Sequence, residues 1–273
     1  MKFAIIYSKK DPAGVNIAEQ LKSHFLPQTV LIELNKESVY AESIDKDERV
    51  KGCEFLIFAS KHQSKTGNPS LSVHSIGNWR SADFGGKNGK LGMTSAQASK
   101  YLFQKLNENA NNTKHKITLE VTHHGPYTEK PTLFIEIGST EEQWGDKTLG
   151  KIIAKTISDF QNFEPNKKLK TALGIGGPHY SPNFNKIQLA NNDIAIGHIL
   201  PEHHLPATES IIEEAIKKTK EHIDFVILDW KGCGISESRQ QLINLIEKMG
   251  LKWLRTDKIK KINLESRTSS VKI

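Results

Sequence analysis

What most constrains this chain is a repeated alternation of short apolar runs with stretches of helical period. Strand-length runs recur at residues 3–7, 30–34, 55–60, 117–122, 133–137, 171–175, 194–200, 225–229 and 252–255. Between them lie helix-period stripes. Ile17, Ala18, Leu21 and Phe25 form one; Leu149, Ile152, Ile153, Thr156, Ile157 and Phe160 form a cleaner one. Further helices are predicted over 94–109, 209–220 and 237–249. Thr94 with Gln97 reads as a capping box, as does Ser139 with Glu142, and Gly250 sits where a helix ends. Unbroken runs such as Phe225-Val226-Ile227-Leu228 suit strands buried on both faces. Strands alternating with helices imply parallel βαβ units. The expected fold is therefore α/β: a mixed, largely parallel sheet with helices on both faces. The 117–137 pair is read as a hairpin-like antiparallel unit. Residues 1–273 are expected to form a single domain. The Gly-, Ser-, Asn- and His-rich stretch 61–93 shows little periodicity and reads as a long functional loop, with room for a small subdomain.

Composition narrows the class. With 37% hydrophobic and 25% charged residues, the chain is globular and not disordered. No apolar run reaches membrane-spanning length, and the apolar start is too short for a signal peptide. Two cysteines, Cys53 and Cys233, argue against a disulfide framework and point to the cytoplasm. A net charge of +7 favours an anionic partner, nucleic acid being the commonest. Lys217, Lys218 and Lys220 lie on a predicted helix face, where solvation is the ordinary explanation, and the basic tail 258–261 is short. A monomer is expected.

In open α/β sheets, ligands bind beyond the carboxyl ends of the strands. Five of the eleven histidines follow strands there: His62, His123, His124, His179 and His198. The other singled-out histidines, His74, His115, His203, His204 and His222, are read as surface or capping residues. His123 and His124 on an extended segment would point to opposite faces, so only one is expected to aim at a given site. Glu120 and Glu136 interrupt apolar strand runs, and a buried carboxylate needs a cation, a metal or donors. Glu120 reads equally well as an outward carboxylate on an edge strand. Gly174-Ile175-Gly176-Gly177 lacks the helix and acid of a dinucleotide site, but its amides could approach an oxyanion. There is no Gly-x-Ser-x-Gly elbow, no phosphate-binding loop and no Cys-x-x-Cys. His, Glu and Asp suit zinc, yet no His-Glu-x-x-His occurs, so any metal site must be assembled from distant segments.

Several segments together resemble one family. They are Phe58-Ala59-Ser60-Lys61-His62, Gly77-Asn78-Trp79, Gly85-Gly86, Glu120-Val121-Thr122-His123-His124-Gly125-Pro126, Phe134-Ile135-Glu136-Ile137-Gly138-Ser139, Leu173-Gly174-Ile175-Gly176-Gly177-Pro178-His179-Tyr180, Gly197-His198-Ile199-Leu200-Pro201 and Asp229-Trp230-Lys231-Gly232. In this order they are similar to the archaeal and plant D-aminoacyl-tRNA deacylases. Pro178 replaces an expected third glycine, and Thr66-Gly67-Asn68-Pro69 lengthens the first histidine loop. The resemblance implies hydrolysis of the ester joining a D-amino acid to the 3′ end of tRNA. It also implies a core like those of peptidyl-tRNA hydrolases and nucleoside phosphorylases, and a zinc requirement.

On that basis His124 or His179, with or without zinc, is expected to activate water. His62, His123 and Glu136 complete the catalytic candidates. Glu136 would orient a histidine or take the amino acid's ammonium group. Gly176 and Gly177 would hold the oxyanion, and Trp79 or Tyr180 would stack on the terminal adenine. Lys231 and His198 are further substrate-binding candidates. The metal ligands expected are His124, His179 and Glu120. Two rival readings stand: a zinc amidohydrolase or nucleoside phosphorylase-like enzyme acting on small molecules, and a non-catalytic tRNA-binding protein.

Overall fold

A computed structural model describes residues 1–64, 66–190 and 193–259. The strands are β1 (Phe3–Ser8), β2 (Thr29–Leu34), β3 (Phe55–Gln63), β4 (Ser70–Ser75), β5 (Lys116–Leu119), β6 (Thr132–Ser139), β7 (Lys170–Ile175), β8 (Ile194–Leu200), β9 (Phe225–Leu228) and β10 (Trp253–Arg255). The helices are α1 (Pro12–Leu21), α2 (Ala96–Asn109), α3 (Glu141–Gly145), α4 (Lys147–Asp159), α5 (Pro182–Ala190), α6 (Glu209–Lys217) and α7 (Ser236–Lys248). The strands form two sheets. The first has the order β2-β1-β3-β6-β4-β5, and the second β10-β9-β7-β8.

In the first sheet β2, β1, β3 and β6 run parallel; β4 is antiparallel to β6, and β5 is parallel to β4. The second sheet is wholly parallel. The expected α/β class holds, but with two sheets in place of one and helices on both faces only of the second; residues 117–137 make no hairpin, because β4 inserts between β5 and β6. That strand comes from the stretch read as a loop. Its sequence, Ser70-Leu71-Ser72-Val73-His74-Ser75, alternates polar and apolar as far as His74, yet every residue is buried. Its polar face is buried in part because the segment after β5 lays His123 and His124 over His74.

One face of the first sheet packs Phe3, Ile5, Ile57, Leu71 and Ile135 against α1, α2 and α4. Its other face, with Ala4, Ile6, Phe58 and Phe134, is covered by the segment carrying Ala41, Ile44 and Val50, which forms only short 3-10 turns. The second sheet has helices on both faces: α5 against Ala172, Ile196 and Ile227, and α6 and α7 against Leu173, Val226 and Leu228. Helix α5 carries no strong apolar stripe, but Pro182 at its start is a usable signal. Ser95, not Thr94, caps α2, its Oγ accepting from the Ala98 amide at 3.2 Å. Thr140, not Ser139, opens α3. Gly250 does end α7, with φ +71°. Of the basic tail, only Lys258 and Ile259 fall among the described residues.

The segment after β5 joins the sheets. The Val121 amide donates to His179 O and the Thr122 amide to Ile199 O, both at 3.0 Å. The residues that follow β3, β5 and β7 are thereby brought to one place.

Candidate active site

A cavity of about 770 Å³ opens between the sheets, lined by His62, His123, His124, His179, Tyr180 and Glu136 among others. Its wall is built strand by strand. Glu136 lies on β6 beside Ser60 of β3, and its Oε1 accepts from Ser60 Oγ at 2.6 Å. Its Oε2 is 3.5 Å from His74 Nε2 on β4 and 3.7 Å from His62 Nδ1 at the end of β3. Glu120 comes directly after β5, where its amide still bonds Val73 O. Its Oε1 stands 3.2 Å from His62 Nδ1, without hydrogen-bond alignment. Its Oε2 accepts from His179 Nε2 at 2.9 Å and lies 3.6 Å from His123 Nε2. His62 Nε2 is 3.0 Å from the Tyr180 hydroxyl.

The rings of His123 and His124 lie 4.2 and 4.9 Å from that of His74. Both neighbours therefore meet one residue, contrary to the alternation expected of a strand. The cause is local: β5 ends at Leu119, and His124 takes a left-handed φ of +43°. Alternation holds only while the backbone stays extended.

Each of these three histidines spends Nδ1 on a backbone carbonyl: His74 on Ser75 O (3.1 Å), His123 on Val121 O (2.8 Å) and His124 on Gly125 O (2.7 Å). A carbonyl can only accept, so each Nδ1 carries the proton and each neutral ring keeps its lone pair on Nε2. Burial, reinforced by His74, pushes His124 down to about 4, and burial with His74 and His124 holds His123 well below its ordinary range. Both are neutral at pH 7. Burial also opposes charge on His62, but Glu120 and Glu136 outweigh it and push its pKa up to about 11. His74 is likewise raised, burial being outweighed mainly by Glu136. The two carboxylates are themselves fully desolvated, yet their histidine partners hold both well below the usual range.

Among the described residues three groups could hold a metal ion: His74–His123–His124, His62–Glu120–His179 and His74–Glu120–Glu136, each with its ligand atoms within 4.8 Å of one another. Two atoms here are buried without a hydrogen-bond partner, His74 Nε2 and Glu120 Oε1. Orphaned buried polar atoms are rare enough to need a reason. Nitrogen and carboxylate donors with fixed tautomers fit zinc. The expected ligand set of His124, His179 and Glu120 is corrected: Glu120 and His179 share one group, with His62, but His124 falls in another, with His74 and His123.

Other expectations also change. His74, set aside in sequence, is central; the alternating polar face of Ser70, Ser72 and His74 was the available signal. Glu120 does follow the edge strand β5, but it turns inward and is buried. His198 does not line the cavity: it is buried, with Nδ1 3.1 Å from Thr122 Oγ1 and Nε2 3.2 Å from Lys218 O. Trp79 is buried and donates its indole N–H to Thr122 O at 2.9 Å, so its face is unavailable for stacking. Gly176 and Gly177 do not line the cavity either. The Gly176 amide is spent on Leu200 O at 2.8 Å, and a Cβ on Gly177 would come 2.9 Å from Asp229 Oδ2. These glycines serve close packing. Lys231 is exposed and lies outside the cavity lining.

Comparison with known proteins identifies the family. A sequence model described as D-aminoacyl-tRNA deacylase matches residues 50–254. A D-aminoacyl-tRNA deacylase of Thermococcus kodakarensis is 36% identical over 271 residues, 92% of this chain and 98% of that protein. One of Methanocaldococcus jannaschii is 33% identical over 270 residues, 93% of this chain and 100% of that protein. A crystal structure described as a conserved protein of unknown function, AF0625, aligns with a TM-score of 0.85 at 30% identity, over 95% of this chain and 97% of that one.

Proposed function

This chain belongs to the D-aminoacyl-tRNA deacylase family, and we propose from that premise how its residues divide the work. The reaction is hydrolysis of the ester that joins a D-amino acid to tRNA, releasing both. The observation that carries the assignment of roles is the meeting of His62, His123, His124, His179 and Glu136 on one cavity wall, with His74 and Glu120 buried directly behind it.

Ester hydrolysis needs a base for the attacking water, donors for the developing oxyanion and a proton for the leaving oxygen. Glu120 accepts from His179 Nε2–H, so the other ring nitrogen of His179 is the one left to take a proton from water. His62, charged between two carboxylates, donates Nε2–H to the Tyr180 hydroxyl. That leaves the tyrosine's own proton to point at the oxyanion, the role expected of Gly176 and Gly177. Glu136 keeps His62 and His74 in place and receives the Ser60 hydroxyl.

His74, His123 and His124 would hold zinc through their free Nε2 atoms. Zinc, when bound, lowers the pKa of its water to about 7. It would also take the place of the proton that Glu136 otherwise draws onto His74.

We place the enzyme in the cytoplasm, since both cysteines are free and buried. No helix among the described residues is long and apolar enough to cross a membrane. We take the working unit to be one chain and one domain, because every member of the cluster comes from a single copy and hydrogen bonds tie the sheets together.

The test incubates the protein with D- and L-tyrosyl-tRNA, with and without chelator, and follows ester loss. Loss of the D-ester, sensitive to chelator and reduced by His179→Ala and by His124→Ala, is expected. Full turnover by both variants would overturn the roles. Activity on free nucleosides or amides alone, or tight tRNA binding without turnover, would favour the rivals. Zinc content by mass spectrometry should fall in His74→Ala.

A further inference from the structure

Phe84 is 66% exposed, yet its backbone is held from several sides. Its carbonyl accepts from the Gly125 amide at 2.9 Å, and Gly125 directly follows His124. Gly85 O accepts from Asn78 Nδ2 at 2.8 Å. Glu42 takes the Gly86 amide at 2.7 Å through one oxygen and the Tyr127 amide at 3.2 Å through the other. The glycines make this approach feasible. Gly85 and Gly86 have φ of +68° and +83°; a Cβ on Gly85 would lie 1.9 Å from Val39 O, and one on Gly125 2.3 Å from Gly86 N. Backbone packs on backbone here, so the backbone that carries the phenyl ring is held beside His123 and His124.

The ring also stands at a boundary. Beside the large cavity lies a cleft of about 210 Å³ lined by Trp79, Thr122 and His204, among others. Phe84, His123 and His124 are the residues that line both. What singles this ring out is its place: an exposed aromatic on the lining of the cavity that holds the reacting histidines.

We infer that Phe84 is the surface on which the substrate's 3′-terminal adenosine stacks, in the large cavity. The inference rests on the deacylase reading. The ester is attached to that nucleoside's ribose, so its base must lie beside the reacting histidines. Any π-face accepts a base, and such stacking is sequence-tolerant. The other aromatics of this wall are committed: Trp79 is buried, Phe134 lies under the rings of His74 and His124, and Tyr180 lies under Lys116 Nζ (4.9 Å) with its hydroxyl on His62. Lys10 and Lys61 line the same cavity and suit phosphates. Of the carboxylates on this lining, Asp11 is spent on the amides of Ala13, Gly14 and Lys61, and Glu136 on Ser60 and the histidines, which leaves Glu37 at the wall.

The experiment uses the full chain with Phe84→Ala, Phe84→Leu and Phe84→Trp. On D-tyrosyl-tRNA, Phe84→Ala and Phe84→Leu should raise KM about tenfold or more with little change in kcat, and Phe84→Trp should restore it. Independently, the fluorescence of Phe84→Trp, read against wild type, should be quenched by uncharged tRNA ending in CCA. The same tRNA trimmed of its terminal adenosine should not quench it. Equal quenching by both tRNAs, or an unchanged KM in Phe84→Ala, would overturn the inference. So would a fall in kcat alone, which would put the ring against the aminoacyl group. If wild type fails to hydrolyse D-tyrosyl-tRNA, the deacylase reading falls, while the quenching arm still decides whether the ring stacks on adenosine.

Discussion

Glu120 decides the electrostatics of the cluster at the scale of single residues. It is fully buried, and its two oxygens serve different partners: one faces His62, the other holds His179. Glu120→Gln keeps the shape and one acceptor oxygen for His179 but removes the charge that would stabilise an imidazolium there. Turnover of D-aminoacyl-tRNA should fall about 10²–10⁴-fold in a single-turnover assay, with the circular dichroism unchanged. Tyr180→Phe leaves His62 without its hydroxyl partner and removes the proposed oxyanion donor. It should lower kcat about 10²–10³-fold with a smaller effect on KM. His198 lies apart from this chemistry. Burial pushes its pKa down to about 4, below the ordinary 6.5. The unfolded chain therefore binds a proton that the folded chain refuses. Stability from this residue is complete above pH 6.5 and is lost as pH falls from there toward 4, by at most about 3 kcal/mol. Denaturant unfolding of His198→Gln against wild type between those pH values should show the slope reduced in the variant.

Among elements, β4 and the α1–α4 contact show two uses of a buried polar surface. In β4 the polar face of an alternating strand is turned into the site, where Ser72 pairs with Glu136 and His74 with Phe134 across the ladder. Between α1 and α4, Asn16 donates to Trp144 O at 2.9 Å and Asp146 O at 2.8 Å, while Gly150 makes room for it. A Cβ on Gly150 would lie 2.4 Å from Asn16 Oδ1. Gly150→Ala should therefore destabilise by about 1–3 kcal/mol and lower Tm by several degrees in a thermal scan. Turnover at 25 °C should remain at the wild-type level, because this contact does not line the cavity. Loss of activity without loss of Tm would show that α1 positions Asp11 and Lys61 more tightly than their hydrogen bonds suggest.

For the whole molecule, the net charge of +7 becomes useful once the substrate is a polyanion. KM for D-aminoacyl-tRNA should rise steeply with salt, log–log, as phosphate contacts release counterions. A minimal substrate, a D-amino acid esterified to adenosine, should show a much flatter dependence. Equal slopes for the two would place the cations outside the tRNA-binding surface.

The sequence by itself determined the α/β class, most strand positions, and the residue types that gather at the carboxyl ends of β3 and β7, because periodicity and strand-end position are local properties. It also marked Glu120, Glu136, His62, His123, His124 and His179 as chemically unusual, since charged or imidazole groups beside apolar runs must find partners. Only the tertiary structure decided which of them meet. His74 entered the site because β4 lies between β5 and β6, a pairing between segments about 45 residues or more apart in sequence. His198, Trp79, Gly176 and Gly177 left it because their polar groups are satisfied by neighbouring segments. Phe84 gained its place from backbone contacts among Gly85, Gly86 and Gly125. Sheet order and long-range hydrogen bonding depend on contacts between distant segments, and no window of residues contains that information.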